Sequence, residues 1–383
     1  MSRPSGPGRR LRVGLVCPYA LDVPGGVQQQ VLGLAAQLRG AGHDVRVLAP
    51  GGLPEDAYGL PAEHFTSSGT PLGVRWNGSV APLALGPLAA ARARRWVAAQ
   101  PLDVLHLHEP LAPSSSLHAL GAARTPVVAT FHAATPRSRA LRLAGTALAA
   151  TLDRIDAGVA VSETARAVVA DHLDREVVVV PNGLDTSAYG RAEPVVPPDP
   201  ARGPRLLFLG RGTEPRKGLG VLLRALPALR AAHPGLEVLV AGPGHRALPA
   251  GCRDLGLVPE SEKRSLLHDV DVFVAPHTAR ESFGIVVLEA MASGVPVVAS
   301  DLAPFVDLLG GAGDPAGWLF PRGDAAALAD AVGQALREGR GGRAARARLR
   351  ARRFDWSVVG PQVLAVYADV LDRPDVGRAG GVS

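Results

Sequence analysis

The chain has 383 residues, 47% of them hydrophobic, and carries a formal net charge of +6, most of it from arginine. That length suits two domains of about 100–200 residues, and the apolar share supplies two cores, which excludes a disordered or fibrous chain. Two cysteines, Cys17 and Cys252, match neither a zinc-ligand spacing nor a disulfide framework and fit a reducing compartment; no run reaches the ~18 apolar residues of a membrane span; and 4% aromatic residues give too few stacking platforms for a nucleic-acid surface.

The basic start (Arg9, Arg10, Arg12) runs into Pro18 without a small-residue cleavage site, so it reads as a short tail and not a signal peptide. RVGLVC (12–17) predicts a strand. The stretch 25–42 predicts a helix, with Val27, Val31, Leu34 and Leu38 on one face and Gly40 and Gly42 to stop it. Further strands are predicted at 43–50, 103–109, 125–132, 154–162 and 177–183. Residues 191–204 hold five prolines in fourteen positions and can continue neither a helix nor a central strand, so they mark a domain joint. A second alternation follows, with strands at 205–211, 236–244, 271–277 and 295–300 and helices at 218–234 and about 282–293; residues 245–268 give no clear strand. The arginine run 339–353 reads as a solvated helix. In 352–371, Trp356, Val359, Val363 and Tyr367 share a helical face, and Pro361 suits a kink or a fresh start. The expected organisation is therefore a first domain (1–190), a linker (191–204), a second domain (205–355) and a terminal helix (356–378) packing back on the first domain. Short strands alternating with helices imply parallel sheets covered on both faces: an α/β chain of two Rossmann-like domains with a cleft between them.

Four groups of residues could carry chemistry. Gly25 and Gly26, between the first strand and its helix, let a ligand approach backbone and free N–H groups, although no GxGxxG pattern is present. His106 and His108 alternate on one strand and His132 ends another. With Glu109 they make only a weak case for a metal, so none is expected, whereas His132 stands where open parallel sheets hold ligands. In GRGTEPRKG (210–218), Arg211, Arg216 and Lys217 lie between a strand and a helix and suit a pyrophosphate. In ESFGIVVLEAMASG (281–294), Glu281 sits at a helix entry and Glu289 eight residues on within the helix, with Ser282, Phe283, Gly284 and Ile285 between them. Such carboxylates can hold sugar and ribose hydroxyls.

GRGTEPRKG and ESFGIVVLE, over nearly the whole chain, resemble family-4 glycosyltransferases of the GT-B fold. VCPYALDVPGGVQQQVLGLAAQL, WNGSVAPL, HLHEPLAPS, TFHAAT, VSETAR and VPNGLD are similar in particular to actinobacterial phosphatidyl-myo-inositol mannosyltransferases. The resemblance implies a retaining transfer of mannose from GDP-mannose to an inositol lipid at the cytoplasmic membrane face, with no required metal or other cofactor. It implies catalytic roles for His132, Arg211, Lys217 and Glu281. Donor contacts would come from Gly26, Arg211, Arg216, Lys217, Glu281, Phe283, Gly284, Ile285 and Glu289, and acceptor contacts from Tyr19, Asp22, Gln28, Asn77 and Arg137. The chain departs from that family where its acceptor loop carries arginines: here stand Pro82, Leu83, Ala84 and Leu85. A soluble inositol phosphate or another small polyol thus stays open as acceptor, as does a uridine donor, and the alternative of another class is a non-catalytic sugar-nucleotide-binding module. Expected partners are a nucleotide sugar, an inositol lipid or polyol and, weakly, an anionic membrane surface, but no nucleic acid. The surface contact is expected from 86–100, with Arg92, Arg94 and Arg95 meeting headgroups and Trp96 at the interface.

Overall fold

The computed structural model describes residues 9–76, 79–132, 148–173, 175–190, 202–244, 247–311 and 313–373, the side chains of Trp76 and Ser79 excepted. Two units divide the chain: one holds the residues up to Gly183 and those from Trp356 on, the other Leu184–Asp355. The division thus falls ahead of the proline-rich segment, of which 191–201 lie outside the described residues.

The first unit runs β1 (Arg12–Val16), α1 (Gly26–Gly40), β2 (Asp44–Ala49), β3 (Phe65–Ser67), β4 (Leu72–Trp76), β5 (Ser79–Leu83), α2 (Pro87–Ala99), β6 (Val104–His108), α3 (Ser115–Ala122), β7 (Val127–Phe131), β8 (Ala157–Ala160), α4 (Glu163–Leu173) and β9 (Val178–Val179). Seven strands form one parallel sheet in the order β3-β2-β1-β6-β7-β8-β9. Strands β6 and β7 are buried along their whole length, as helices on both faces require. The terminal helix, Trp356–Asp372, returns to this unit and buries Val359, Val363, Tyr367 and Val370 in its core. Trp356 lies so close over α1 that a Cβ at Gly33 would stand 2.7 Å from its ring nitrogen. Pro361 sits inside this one helix and starts no new one.

The second unit runs β10 (Arg205–Leu209), α5 (Leu219–Ala232), β11 (Glu237–Ala241), β12 (Cys252–Gly256), α6 (Glu260–Asp269), β13 (Val272–Ala275), α7 (Ile285–Ser293), β14 (Val297–Ser300), α8 (Ala303–Leu309), β15 (Trp318–Phe320), α9 (Ala325–Glu338) and α10 (Gly342–Ala351). Its six parallel strands are ordered β12-β11-β10-β13-β14-β15. Asp324 caps α9 by accepting from the amides of Ala326 and Ala327, 2.9 Å each. The chain is thus α/β with two Rossmann-like sheets. In each the strand order reverses once, between β1 and β6 and between β10 and β13, and such a reversal opens a ligand crevice at the strands' carboxyl ends.

Several expectations change. Strand β12 forms where none was clear: it is an edge strand, joined to β11 through a bulge, and tolerates polar Arg253 and Asp254 because one side meets solvent. Strands β4 and β5 make an unforeseen antiparallel hairpin. The arginine run is not simply solvated: Arg343 stacks over Trp318 at 5.0 Å, and Arg350 pairs with Asp314 at 2.6 Å. Trp96 is not at an interface. It is buried under β1, packed beside Gly14, while Arg92, Arg94 and Arg95 stay exposed. The apolar face of α2 points into the core, and the tryptophan goes with it. No helix among the described residues is long and apolar enough to cross a membrane.

Candidate functional site

In the first unit the carboxyl ends of β1, β6 and β7 gather most of the predicted residues. The loop after β1 carries Tyr19 and Asp22 and leads to Gly25, whose extended backbone precedes the exposed first residue of α1, Gly26. Tyr19 bridges to Leu83, and the Ala20 amide donates to the Pro82 carbonyl at 2.9 Å, so the hairpin is tied to this loop. Asp22 accepts from the Gly52 amide at 2.8 Å. Gln28 is buried, its amide nitrogen donating to the carbonyls of Val23 (3.0 Å) and Ala20 (3.3 Å), so it braces the loop. Asn77 and Arg137 lie outside the described residues.

Behind that loop the histidines form a buried line. His106 shares a 2.7 Å hydrogen bond with Tyr367 of the terminal helix and another of 2.7 Å with Thr130. Its ring stacks on His108 at 4.7 Å, and His108 Nδ1 lies 2.9 Å from His132 Nε2. The His132 amide donates to Glu109, which holds a left-handed backbone (φ 48°) at the end of β6. His108 Nε2 is buried with no partner among the described residues. A buried orphan N–H is the costlier alternative, so the His108 proton belongs on Nδ1, donating to His132. His132 then carries its own proton on Nδ1, as a hydrogen-bond donor. Burial pushes His106 and His132 down to about 3, so both are neutral. No group of three or more metal-binding side chains occurs among the described residues.

In the second unit the turn after β10 and the loop after β13 meet. Gly218 (φ 77°) makes this possible, since a Cβ there would lie 1.7 Å from the Pro276 carbonyl oxygen. The Thr278 amide donates to the Arg216 carbonyl at 2.8 Å. Across this junction Lys217 Nζ lies 3.0 Å from Glu281 Oε2, and His277 Nδ1 lies 2.9 Å from the same oxygen. Burial works to raise the Glu281 pKa, but the Lys217 charge and the His277 hydrogen bond outweigh it and hold the carboxyl well below its usual range. No bond falls on Glu281 Oε1 among the described residues. Arg216 donates to Glu214 and to the Arg280 carbonyl, 3.1 Å, and Arg211 also lies near Glu214, at 3.9 Å. Arg280 again has positive φ, 53°.

Eight residues on, Glu289 is the one charged side chain of apolar α7 and is 1% exposed. Lys263 of α6 reaches its Oε1 at 2.6 Å and also pairs with Glu260 at 2.8 Å, while Glu289 Oε2 is buried with no partner among the described residues. Burial, opposed by Lys263 and a hydrogen bond from Tyr189 and aided by Glu260, raises the Glu289 pKa. Phe283 is buried edge-on against Phe354, 5.7 Å between ring centres, and Gly284 (φ 99°) caps the start of α7 ahead of half-buried Ile285. Both motif carboxylates are thus held through one oxygen by a lysine. His277 and Lys263 were not foreseen. His277 stands two residues beyond the end of central β13, close to the signal that singled out His132, whereas Lys263 has no local signal at all.

The arrangement can hold polyhydroxylated groups beside an anion. Residues 24–188 match the model described as glycosyltransferase family 4, and residues 203–338 that of glycosyl transferases group 1. The chain is 44% identical over 370 residues to the phosphatidyl-myo-inositol mannosyltransferase of Mycolicibacterium smegmatis, covering 94% of each. It is 43% identical over 360 residues to that of Propionibacterium freudenreichii, covering 93% of this chain and 94% of the relative. Among solved structures, a glycosyltransferase from Rickettsia africae superposes with a TM-score of 0.75 at 17% identity, covering 95% of this chain and all of that one. The Anabaena protein HepE in complex with UDP and glucose superposes at 0.71 and 18%, covering 94% and 100%.

Proposed function

The chain belongs to the glycosyltransferases of family 4, and from that membership we propose that it moves mannose from GDP-mannose to the inositol ring of phosphatidyl-myo-inositol with retention of configuration. The observation that carries the proposal is the pair of lysine-held carboxylates, Glu281 and Glu289, eight residues apart on one motif. Glu281 takes the hydroxyls of the transferred sugar and Glu289 those of the ribose. As the glycosidic bond breaks, negative charge grows on the leaving diphosphate, and Lys217 with Arg211, supported by Arg216, stabilises it. The sugar becomes partly cationic, and ionised Glu281 favours that charge. His132 donates from Nδ1 to an oxygen of the reacting groups. Tyr19, Asp22, Asn77 and Arg137 receive the acceptor on a loop that Gln28 braces, and Gly26 leaves room for the phosphates.

Because fixed cations meet the diphosphate, activity is expected to survive exhaustive EDTA treatment; a loss restored by Mg²⁺ or Mn²⁺ would refute metal independence. Exposed Arg92, Arg94 and Arg95, with Leu88 exposed on the same helix, support weak contact of the protein with an anionic cytoplasmic membrane face. One observation favours a soluble polyol acceptor instead: Leu83 and Ala84 are buried, so the segment tied to the Tyr19 loop presents no cation to a lipid phosphate. Transfer from GDP-mannose to phosphatidylinositol vesicles, to inositol phosphate and to free inositol, read by mass spectrometry, separates the two. A mannosylated lipid is expected. Transfer to soluble acceptors alone would select the second reading, and transfer to none with GDP-mannose would sink both.

A further inference from the structure

We propose that His277 is a positioning residue that fixes the plane in which the Glu281 carboxylate meets the ligand. The inference rests on reading the Lys217–Glu281 site as the donor-sugar site. An ionised carboxylate only accepts hydrogen bonds, and Lys217, 3.0 Å away, keeps Glu281 ionised. The imidazole must therefore carry its proton on Nδ1, 2.9 Å from Oε2. The opposite nitrogen, Nε2, is buried without a partner among the described residues. A second proton there would leave an orphan N–H and a positive charge beside Lys217 and Arg216. Burial and those two cations push His277 down to about 4, with Glu281 opposing them, so the ring is neutral in a single tautomer.

The ring itself is immobilised. It is 1% exposed, packs against Phe305 with ring centres 5.1 Å apart, and follows a central strand whose end is pinned by Ser300 donating to the His277 carbonyl at 2.6 Å. That rigidity matters because the last torsion of a glutamate is broad, so the carboxylate plane turns easily unless it is held. A flexible lysine alone follows the carboxylate as its plane turns. Two donors converging on Oε2 from different elements, the turn after β10 and the loop after β13, fix the carboxylate plane and leave Oε1 as the acceptor. A neutral donor achieves this without cancelling the negative charge that faces the developing cation. An arginine or a protonated histidine in its place would weaken that charge.

The test uses the full-length protein with His277→Leu, which keeps bulk and loses the donor, and His277→Asn, which keeps an N–H near Nδ1. Histidine ring 15N spectra and glutamate carboxyl 13C spectra, assigned with the same variants and Glu281→Gln, are followed with pH alongside kcat and donor KM. In the wild type, a neutral Nδ1–H tautomer is expected from about pH 5 to 8. In His277→Leu the Glu281 carboxyl should titrate at least about one unit higher. Its kcat should fall roughly tenfold while donor KM changes less than about threefold, the signature of an interaction made in the transition state. His277→Asn should recover most of both effects. A wild-type proton on Nε2, or a Leu variant with unmoved kcat and carboxyl titration, overturns the proposal. Equal kcat losses in Asn and Leu with no shift of the carboxyl overturn it as well, since they mark a packing role. Should the wild type transfer no sugar while both spectra behave as expected, the transferase reading of this site falls and the His277–Glu281 clamp stands.

Discussion

Glu281 and Glu289 belong to one sequence motif, yet opposite surroundings act on them. Glu281 stands at a helix entry between an ammonium and a neutral imidazole and is held strongly acidic; Glu289 lies inside a helix core, where burial outweighs its lysine and raises its pKa. Replacing Lys217 or Glu281 should therefore reach chemistry first. Lys217→Ala and Glu281→Gln are each expected to lose at least about tenfold in kcat, or ~1.4 kcal/mol, with the fold intact by circular dichroism. Near-normal turnover in either would refute the assignment. Lys263 acts on stability instead. Lys263→Met strands a buried carboxylate and should cost unit 2 about 3 kcal/mol in urea unfolding, much of it recovered when Glu289→Gln is added. Simple additivity of the two changes would show that the pair is not coupled. The spacing of the two glutamates could be read in the sequence because it is local. Lys263 could not, because it lies 26 residues before Glu289 on a separate helix, and only the packing of α6 on α7 sets it there.

The elements that place the site are the turns after strands. The turn after β10 must present Lys217 while its next residue passes under the Pro276 carbonyl, and only glycine does so at φ 77°. Gly218→Ala is expected to lower stability by about 2 kcal/mol and to raise donor KM, because Lys217 moves with the turn. An alanine variant with unchanged urea midpoint and KM would contradict that geometry. The central strands were legible because they are continuous apolar runs, and so were α1 and α5 with their three-and-four spacing. Strand β12 was not, since an edge strand needs apolar residues on one side only. The β4–β5 hairpin was readable in principle: Leu72, Val74 and Trp76 alternate with Gly73 and Arg75, and Asn77-Gly78 follows, the residue pair that tight hairpins favour. Trp96 was misplaced because exposed arginines on both sides masked a helix face made mainly of small alanines.

For the whole molecule, the buried imidazoles decide the response to acid. His106, His108 and His132 in unit 1 and His277 in unit 2 all have pKa values below the ordinary 6.5, with burial as the leading cause. The unfolded chain takes up their protons first, so the stability they confer is complete above about pH 6.5 and drains away below it, by up to ~1.4 kcal/mol per pH unit for each ring. Glu281, whose folded pKa is depressed, adds a further loss only below about pH 4.5. Calorimetry at pH 7, 6 and 5 should show unit 1 giving way before unit 2 as acid is added, and identical melting at pH 7 and 5 would contradict the assigned neutral rings.

The terminal helix buries Tyr367 against His106 and lays Trp356 over Gly33, so the unit that begins the chain is also the unit that ends it. During synthesis this inverts the expected order. Leu184–Asp355 is one uninterrupted segment and can close as soon as it has left the ribosome, whereas the amino-terminal sheet, translated first, must wait with part of one face covered by α1 alone until residues 356–372 emerge. The half that receives the acceptor in the proposed reaction is therefore the last to be finished. Stalled chains that stop before Trp356 should present a protease with a digestible first half and a resistant second one.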